Sequence, residues 1–248
     1  TLPVELANFA DLSSLSLGAN AFTGTLPTEW GEMTALQELF VHTNQLNGTI
    51  PSEISAMSDL ITLAIQSNLL TGTLPSNLGV MTALNYFLVK ENMLLGTLPI
   101  ELGQLTALTM LDVSTNSLTG TLPTELGQMT VLEILNVTNN MLNGTLPKEL
   151  GRLIAIQSLM AGSNGLIGTV PTEIGHLTGL LDLWLNENYF TGTLATELGG
   201  LISLVTVHIE NNAFTGTLPM ELSQWGNVGE FLFQGNNVTG SVYDVLCS

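Results

Sequence analysis

The sequence predicts an α/β repeat solenoid, one unit of strand and short helical turn stacked along an axis. Three observations carry that prediction. Glycine recurs every 24 residues, at Gly24, Gly48, Gly72, Gly96, Gly120, Gly144, Gly168, Gly192, Gly216 and Gly240. An asparagine stands four residues before each of them, from Asn20 to Asn236, with no insertion anywhere in the period. All nine prolines fall in one further column, from Pro3 through Pro27 to Pro219, with Ala195 the only replacement. Residues 1–248 are therefore expected to form a single elongated domain of about ten repeats.

Each element can be justified from the fifth repeat. Leu111-x-Val113 alternates, which reads as a short strand with one face buried. Stacking ten such strands at ~4.8 Å each gives a parallel sheet roughly 45 Å long. Asn116 follows where the chain turns inward; its amide can satisfy backbone groups that the turn leaves unpaired, and a column of such amides makes a buried ladder. Gly120 permits close backbone approach or a positive φ. The segment from Leu118 to Leu122 alternates again and reads as a second, shorter strand on another flank. Pro123 then opens a helical turn, where its missing N–H is not needed. Two residues after the proline position stands a glutamate in nine of ten repeats, Asn77 being the exception. A carboxylate there faces the positive end of the turn's dipole, worth ~0.3–1 kcal/mol.

The run L-x-x-L-x-L-x-x-N followed by L-x-G-x-I/L-P resembles the plant-type leucine-rich repeat over nearly the whole chain. The resemblance implies a right-handed superhelical arc, a concave parallel sheet and short second strands on a lateral flank. It also implies an extracellular setting, since such proteins are mostly receptor ectodomains, pathogen-recognition proteins, wall proteins and inhibitors of secreted enzymes. The Thr119-Gly120-Thr121-Leu122-Pro123-Thr124-Glu125-Leu126-Gly127 flavour is similar to repeats of microalgae, particularly diatoms.

Composition narrows the partners. Apolar residues make up 45% of the chain, enough for a continuous core, and only 10% are charged. The net charge of -18 arises from a near absence of bases, which are Lys90, Lys148 and Arg152. Nucleic-acid backbones and anionic membrane surfaces both require a basic stripe, and neither is expected as a partner. No run of 18 apolar residues exists, so no membrane insertion is expected within this segment. The chain begins in the middle of a repeat, at Thr1-Leu2-Pro3, and ends just past the last one, at Cys247-Ser248, so both caps are expected to be truncated. The lone Cys247 is expected to be a capping cysteine whose partner lies downstream, with a buried thiol as the alternative.

Three exposed positions should flank the buried pair of each concave strand. In them stand Phe40, Tyr86, Leu88, Met110, Ile134, Met160 and Trp184, with a polar rim including Lys90, Asp112, Asp182, His208 and Glu210. Exposed apolar surface with a polar rim is how partner sites look. A protein or polysaccharide ligand is the expected partner of a monomeric recognition or adhesion module. The plainer alternative is that these side chains merely fill a shallow groove or suit a strand. A structural wall or matrix component with an acidic surface is the competing function.

The flank carries threonine after the period glycine from Thr25 to Thr217, and before it at Thr23, Thr71, Thr119, Thr191, Thr215 and Thr239. Such Thr-x-Thr ranks resemble the ice-binding surfaces of unrelated β-solenoid antifreeze proteins. Asn47, Leu95, Asn143 and Ile167 interrupt the outer rank, and the expectation is a strand-suited threonine without strong thermal hysteresis. Asn-x-Ser/Thr sequons stand at Asn47, Asn136, Asn143 and Asn237. His42, His176 and His208 are dispersed, and no nucleophile–base–acid set, metal spacing or phosphate loop is evident. A non-enzyme with no cofactor and no metal is expected.

Overall fold

The computed structural model describes residues 1–240; Cys247 and the last threonine-column position, Ser241, lie outside the described residues. The chain is a leucine-rich-repeat solenoid. Its concave face is a ten-stranded parallel sheet running from Ser14–Ser16 to Glu230–Leu232. Every pairing holds the 24-residue register, so Trp184 lies beside His208 and Met160 beside Trp184. The middle residue of each strand points inward, and one apolar core runs from Leu2 to Trp225. Among the described residues no helix is long and apolar enough to cross a membrane.

The short helical turns of the expected α/β solenoid are present and take the 3-10 form. Ten five-residue turns follow the proline column, such as Thr124–Gln128, and each is a 3-10 helix. Pro123 holds an extended φ of -63° and ψ of 137° and opens the turn without a side-chain cap. Five residues are too few to nucleate an α-helix, and the tighter i→i+3 pattern suits a single turn. A second glycine column makes the turns stack. A Cβ at Gly127 would collide with the carbonyl oxygen of Glu149 and come within 2.9 Å of its Cβ. Neighbouring turns therefore touch backbone to backbone. Where serine or threonine precedes the glutamate that follows proline, its hydroxyl holds the carboxylate, as where Thr124 Oγ1 donates to Glu125 Oε2 at 3.2 Å.

The asparagine ladder forms as the sequence predicts. Asn188, 5% exposed, donates through Nδ2 to the carbonyls of Ala161, Leu185 and Asn186 at 3.0, 3.2 and 3.1 Å. Its Oδ1 accepts the Leu166 N–H at 2.9 Å. One residue earlier the backbone enters the left-handed region in nine repeats, φ lying between 53° and 55° from Ala19 to Asn211.

The period glycines satisfy both expectations. Gly144 has φ of +73°, and a Cβ there would stand 2.7 Å from the Thr121 methyl. Each flank threonine thus rests its Cγ2 where the next repeat would otherwise carry a side chain. The flank sheet has seven strands, from Leu95–Thr97 to Asn237–Thr239, with a separate pair formed by Thr23–Gly24 and Gln45–Leu46. Its register is not that of the concave sheet. Thr97 lies opposite Thr119, and Thr119 opposite Met141, a step of 22 residues. The flank strands slip by two residues per repeat, so neither threonine column stacks on itself; a threonine after the period glycine instead faces the position before the next repeat's glycine, as Thr97 faces Thr119 and Thr217 faces Thr239. With ~3.3 Å per residue and ~4.8 Å per strand, equivalent threonines are ~8 Å apart.

Candidate binding surfaces

The concave positions divide into three kinds. Tyr86 is 44% exposed, whereas Phe40, Leu88, Met110, Ile134, Met160 and Trp184 are half-buried. Side chains on the inside of an arc converge and shade one another, which lowers exposure without removing the surface. Asp112 is a correction: at 4% exposed it is not a rim group. Its Oδ1 accepts the Ser114 N–H at 3.1 Å and the Ser114 hydroxyl at 2.6 Å. Asn136 repeats that arrangement, its Oδ1 accepting from the Thr138 N–H and hydroxyl at 3.1 and 2.8 Å. Such local side-chain turns spend a polar group on the backbone two residues on.

Repeats seven to ten hold a connected polar and aromatic cluster. Asp182 accepts hydrogen bonds from the Ser158 hydroxyl at 2.7 Å and the Thr206 hydroxyl at 2.6 Å. Thr206 Oγ1 in turn accepts the Trp184 indole N–H at 3.0 Å. The Trp184 ring stacks on His208, centroids 5.0 Å apart and planes 8° from parallel. His208 Nε2 stands 3.4 Å from Glu230 Oε2. Beside this pair opens a cavity of about 190 Å³ lined by Asn139, Gly162, Ser163, Trp184, Asn186 and His208. Gly162 leaves room on its wall for the Asn186 side-chain amide, which any Cβ there would run into.

The structure therefore brings Met160, Asp182, Trp184 and His208 together. Tyr86 lies four strands away, ~19 Å along the sheet, and Phe40 further still. Larger grooves lie where the flank meets the turns, one of about 600 Å³ over Thr121 to Glu173. Grooves of the same make-up recur at Thr73–Glu101 and Thr1–Glu29, so they belong to the repeat and carry no chemistry of their own. Among the described residues no three His, Cys, Asp or Glu side chains gather closely enough to hold a metal ion.

Besides Leu95 and Ile167, noted above as breaks in the outer rank, the flank holds exposed apolar side chains that sequence reasoning passed over. Leu69, Met93, Leu95, Met141, Ile167 and Tyr189 are all exposed there, Tyr189 at 67%. Alternation was the available signal, since Met93, Leu95 and Thr97 share one face of the segment. Several outer threonine hydroxyls are already committed. Thr71, Thr119 and Thr239 donate to the carbonyls of Gly48, Gly96 and Gly216 at 3.1 to 3.2 Å. Sequon residues Asn47, Asn143 and Asn237 are exposed, and Asn136 is half-buried.

Comparison with known proteins agrees with this architecture. The Leucine Rich Repeat family matches residues 107–129 and 131–153. No curated protein matches the chain by sequence. A plant peptide hormone receptor, RGFR1 in complex with RGF2, superposes with a TM-score of 0.96 at 32% identity, over 98% of this chain and 39% of the receptor. The chain thus spans about two-fifths of that receptor's length. A plant ice-binding protein gives a TM-score of 0.80 at 28% identity, covering 92% of this chain and 73% of that one. A leucine-rich-repeat protein of Leptospira interrogans gives 0.69 at 32% identity, covering 99% and 66%. The repeat pattern and fold are those of a plant-type leucine-rich-repeat protein.

Proposed function

We propose that this chain is an extracellular, non-catalytic recognition module that binds an extended polypeptide across the concave strands of repeats six to nine. The Trp184–His208 step beside the cavity at Gly162 carries this reading. Trp184 is oriented before any ligand arrives, through Thr206 and Asp182, so little ordering cost falls on binding. Aromatic anchors beside a pocket dominate interface energetics. The similarity to a peptide hormone receptor supports a polypeptide over a sugar. Peptide display on the chain, with Trp184→Ala as counter-selection, tests it. Enriched peptides should lose about tenfold or more in affinity for Trp184→Ala. Selection of glycans alone, or peptides that bind the variant equally, refutes the reading.

Ice binding through the flank is the second reading. The similar plant ice-binding protein favours it, as do the locked threonine methyls and exposed apolar side chains of that face. The slipped register and the hydroxyls already spent on carbonyls oppose it. Nanolitre osmometry on unglycosylated protein decides between them. No strong thermal hysteresis is expected; a clear freezing gap abolished by Thr121→Tyr and Thr193→Tyr would place the ice reading first.

A further inference from the structure

Resting on that reading, we infer that the cavity beside Gly162 receives a primary carboxamide, so that the bound polypeptide places an asparagine or glutamine side chain there. The polar atoms of the wall set this requirement. Thr138 and Ser163 have each spent their hydroxyl hydrogen, on Asn136 Oδ1 at 2.8 Å and on Glu187 Oε2 at 2.7 Å. A hydroxyl carries one hydrogen and two lone pairs, so both oxygens can only accept from an occupant. Asn139 and Asn186 form hydrogen bonds through their main chains alone among the described residues, which leaves both side-chain amides free. The Asn186 amide lies over Gly162, in the space that a Cβ would take.

The aromatic pair adds no polar atom within reach. The Trp184 indole N–H is given to Thr206 at 3.0 Å, and His208 Nε2 is sealed from solvent, 3.4 Å from Glu230 Oε2 but not aligned for a hydrogen bond. No Asp, Glu, Lys or Arg stands on the wall. An ionised side chain of either sign would therefore give up its water without a counter-charge. An aliphatic one would leave two amides and two hydroxyl oxygens unpaired. An alcohol brings a single hydrogen. A carboxamide brings two N–H groups and a carbonyl in one plane. It pairs reciprocally with the Asn186 amide, giving one hydrogen and receiving another, and keeps its second N–H for a hydroxyl oxygen.

The test uses the whole chain and peptides selected from a random phage-displayed library. In each selected peptide that loses affinity for Trp184→Ala, one asparagine or glutamine should be indispensable. Replacing it by its own acid or by methionine should weaken binding about tenfold or more by calorimetry. Asn186→Asp keeps the shape of the wall but removes its donors. It should weaken the same peptides by a similar factor, and a selection repeated on it should move toward lysine or arginine at that position. Trp184-dependent peptides that tolerate replacement of every asparagine and glutamine overturn the carboxamide and leave the recognition module standing. So do peptides that bind Asn186→Asp unchanged. A library that yields no Trp184-dependent peptide overturns the module and this inference with it.

Discussion

Replacing Asn188 by alanine removes four hydrogen bonds, yet the four backbone partners do not suffer equally. The Ala161 carbonyl also accepts from Asn164 at 3.3 Å, and the Leu185 carbonyl from Asn212 at 2.9 Å. The Asn186 carbonyl keeps the Ser163 N–H at 2.9 Å. Only the Leu166 N–H, bonded to Asn188 Oδ1, is left buried and unpaired. An orphaned buried donor costs about 1–3 kcal/mol, and weakening of three shared acceptors adds about 1 kcal/mol more. Asn188→Ala should therefore lose about 2–4 kcal/mol in urea unfolding at unchanged m-value, and Leu166 should lose amide-exchange protection. Asn20 provides the internal control. It is exposed, with bonds only to the Leu17 and Gly18 carbonyls, so Asn20→Ala should cost under about 1 kcal/mol. Equal losses at the two sites, or an unchanged Leu166 amide, would refute the reasoning that the ladder works by satisfying the preceding repeat.

Gly127→Ala should cost about 1–3 kcal/mol, because the Glu149 backbone cannot yield, whereas Gly226→Ala, with nothing within 4 Å, should not destabilise; urea titration of both checks it. Thr206→Val should leave global stability within about 1 kcal/mol but release the Trp184 indole, read as a shifted indole N–H resonance and about threefold or greater loss of selected-peptide affinity. Light scattering should find a monomer whose mass is indifferent to millimolar calcium, the like-charged glutamates sitting one per repeat and too sparse for a calcium shell. A calcium-dependent rise in mass would favour the matrix component instead.

Much of the fold is legible in the residues themselves. Leu111-x-Val113 and Asn116 state the strand and its ladder, and Gly120 states a backbone that only glycine tolerates without loss. The flank register is not legible, because a 24-residue period is the same whether neighbouring strands align at 24 or at 22. That choice belongs to the geometry of the arc. The burial of Asp112 escapes for a different reason, since its partner is Ser114 on its own strand exit rather than anything across the sheet. The site is half-legible. One-strand separation of Trp184 and His208 follows from the period, but their parallel stacking and the cavity beside Gly162 depend on four repeats acting together.

The threonine methyl that fills the space over the next glycine has a genetic consequence. Because the same interlock joins consecutive repeats from Thr25 over Gly48 to Thr217 over Gly240, each of these seams accepts any neighbour. Recombination that duplicates or deletes a whole 24-residue cassette regenerates a fitting seam wherever it cuts. A frame-preserving insertion of a single codon does not, since it displaces one glycine from beneath its threonine. Selection on such a gene would thus tolerate arrays of varying length far more readily than units of varying length, which accounts for ten copies without a single indel.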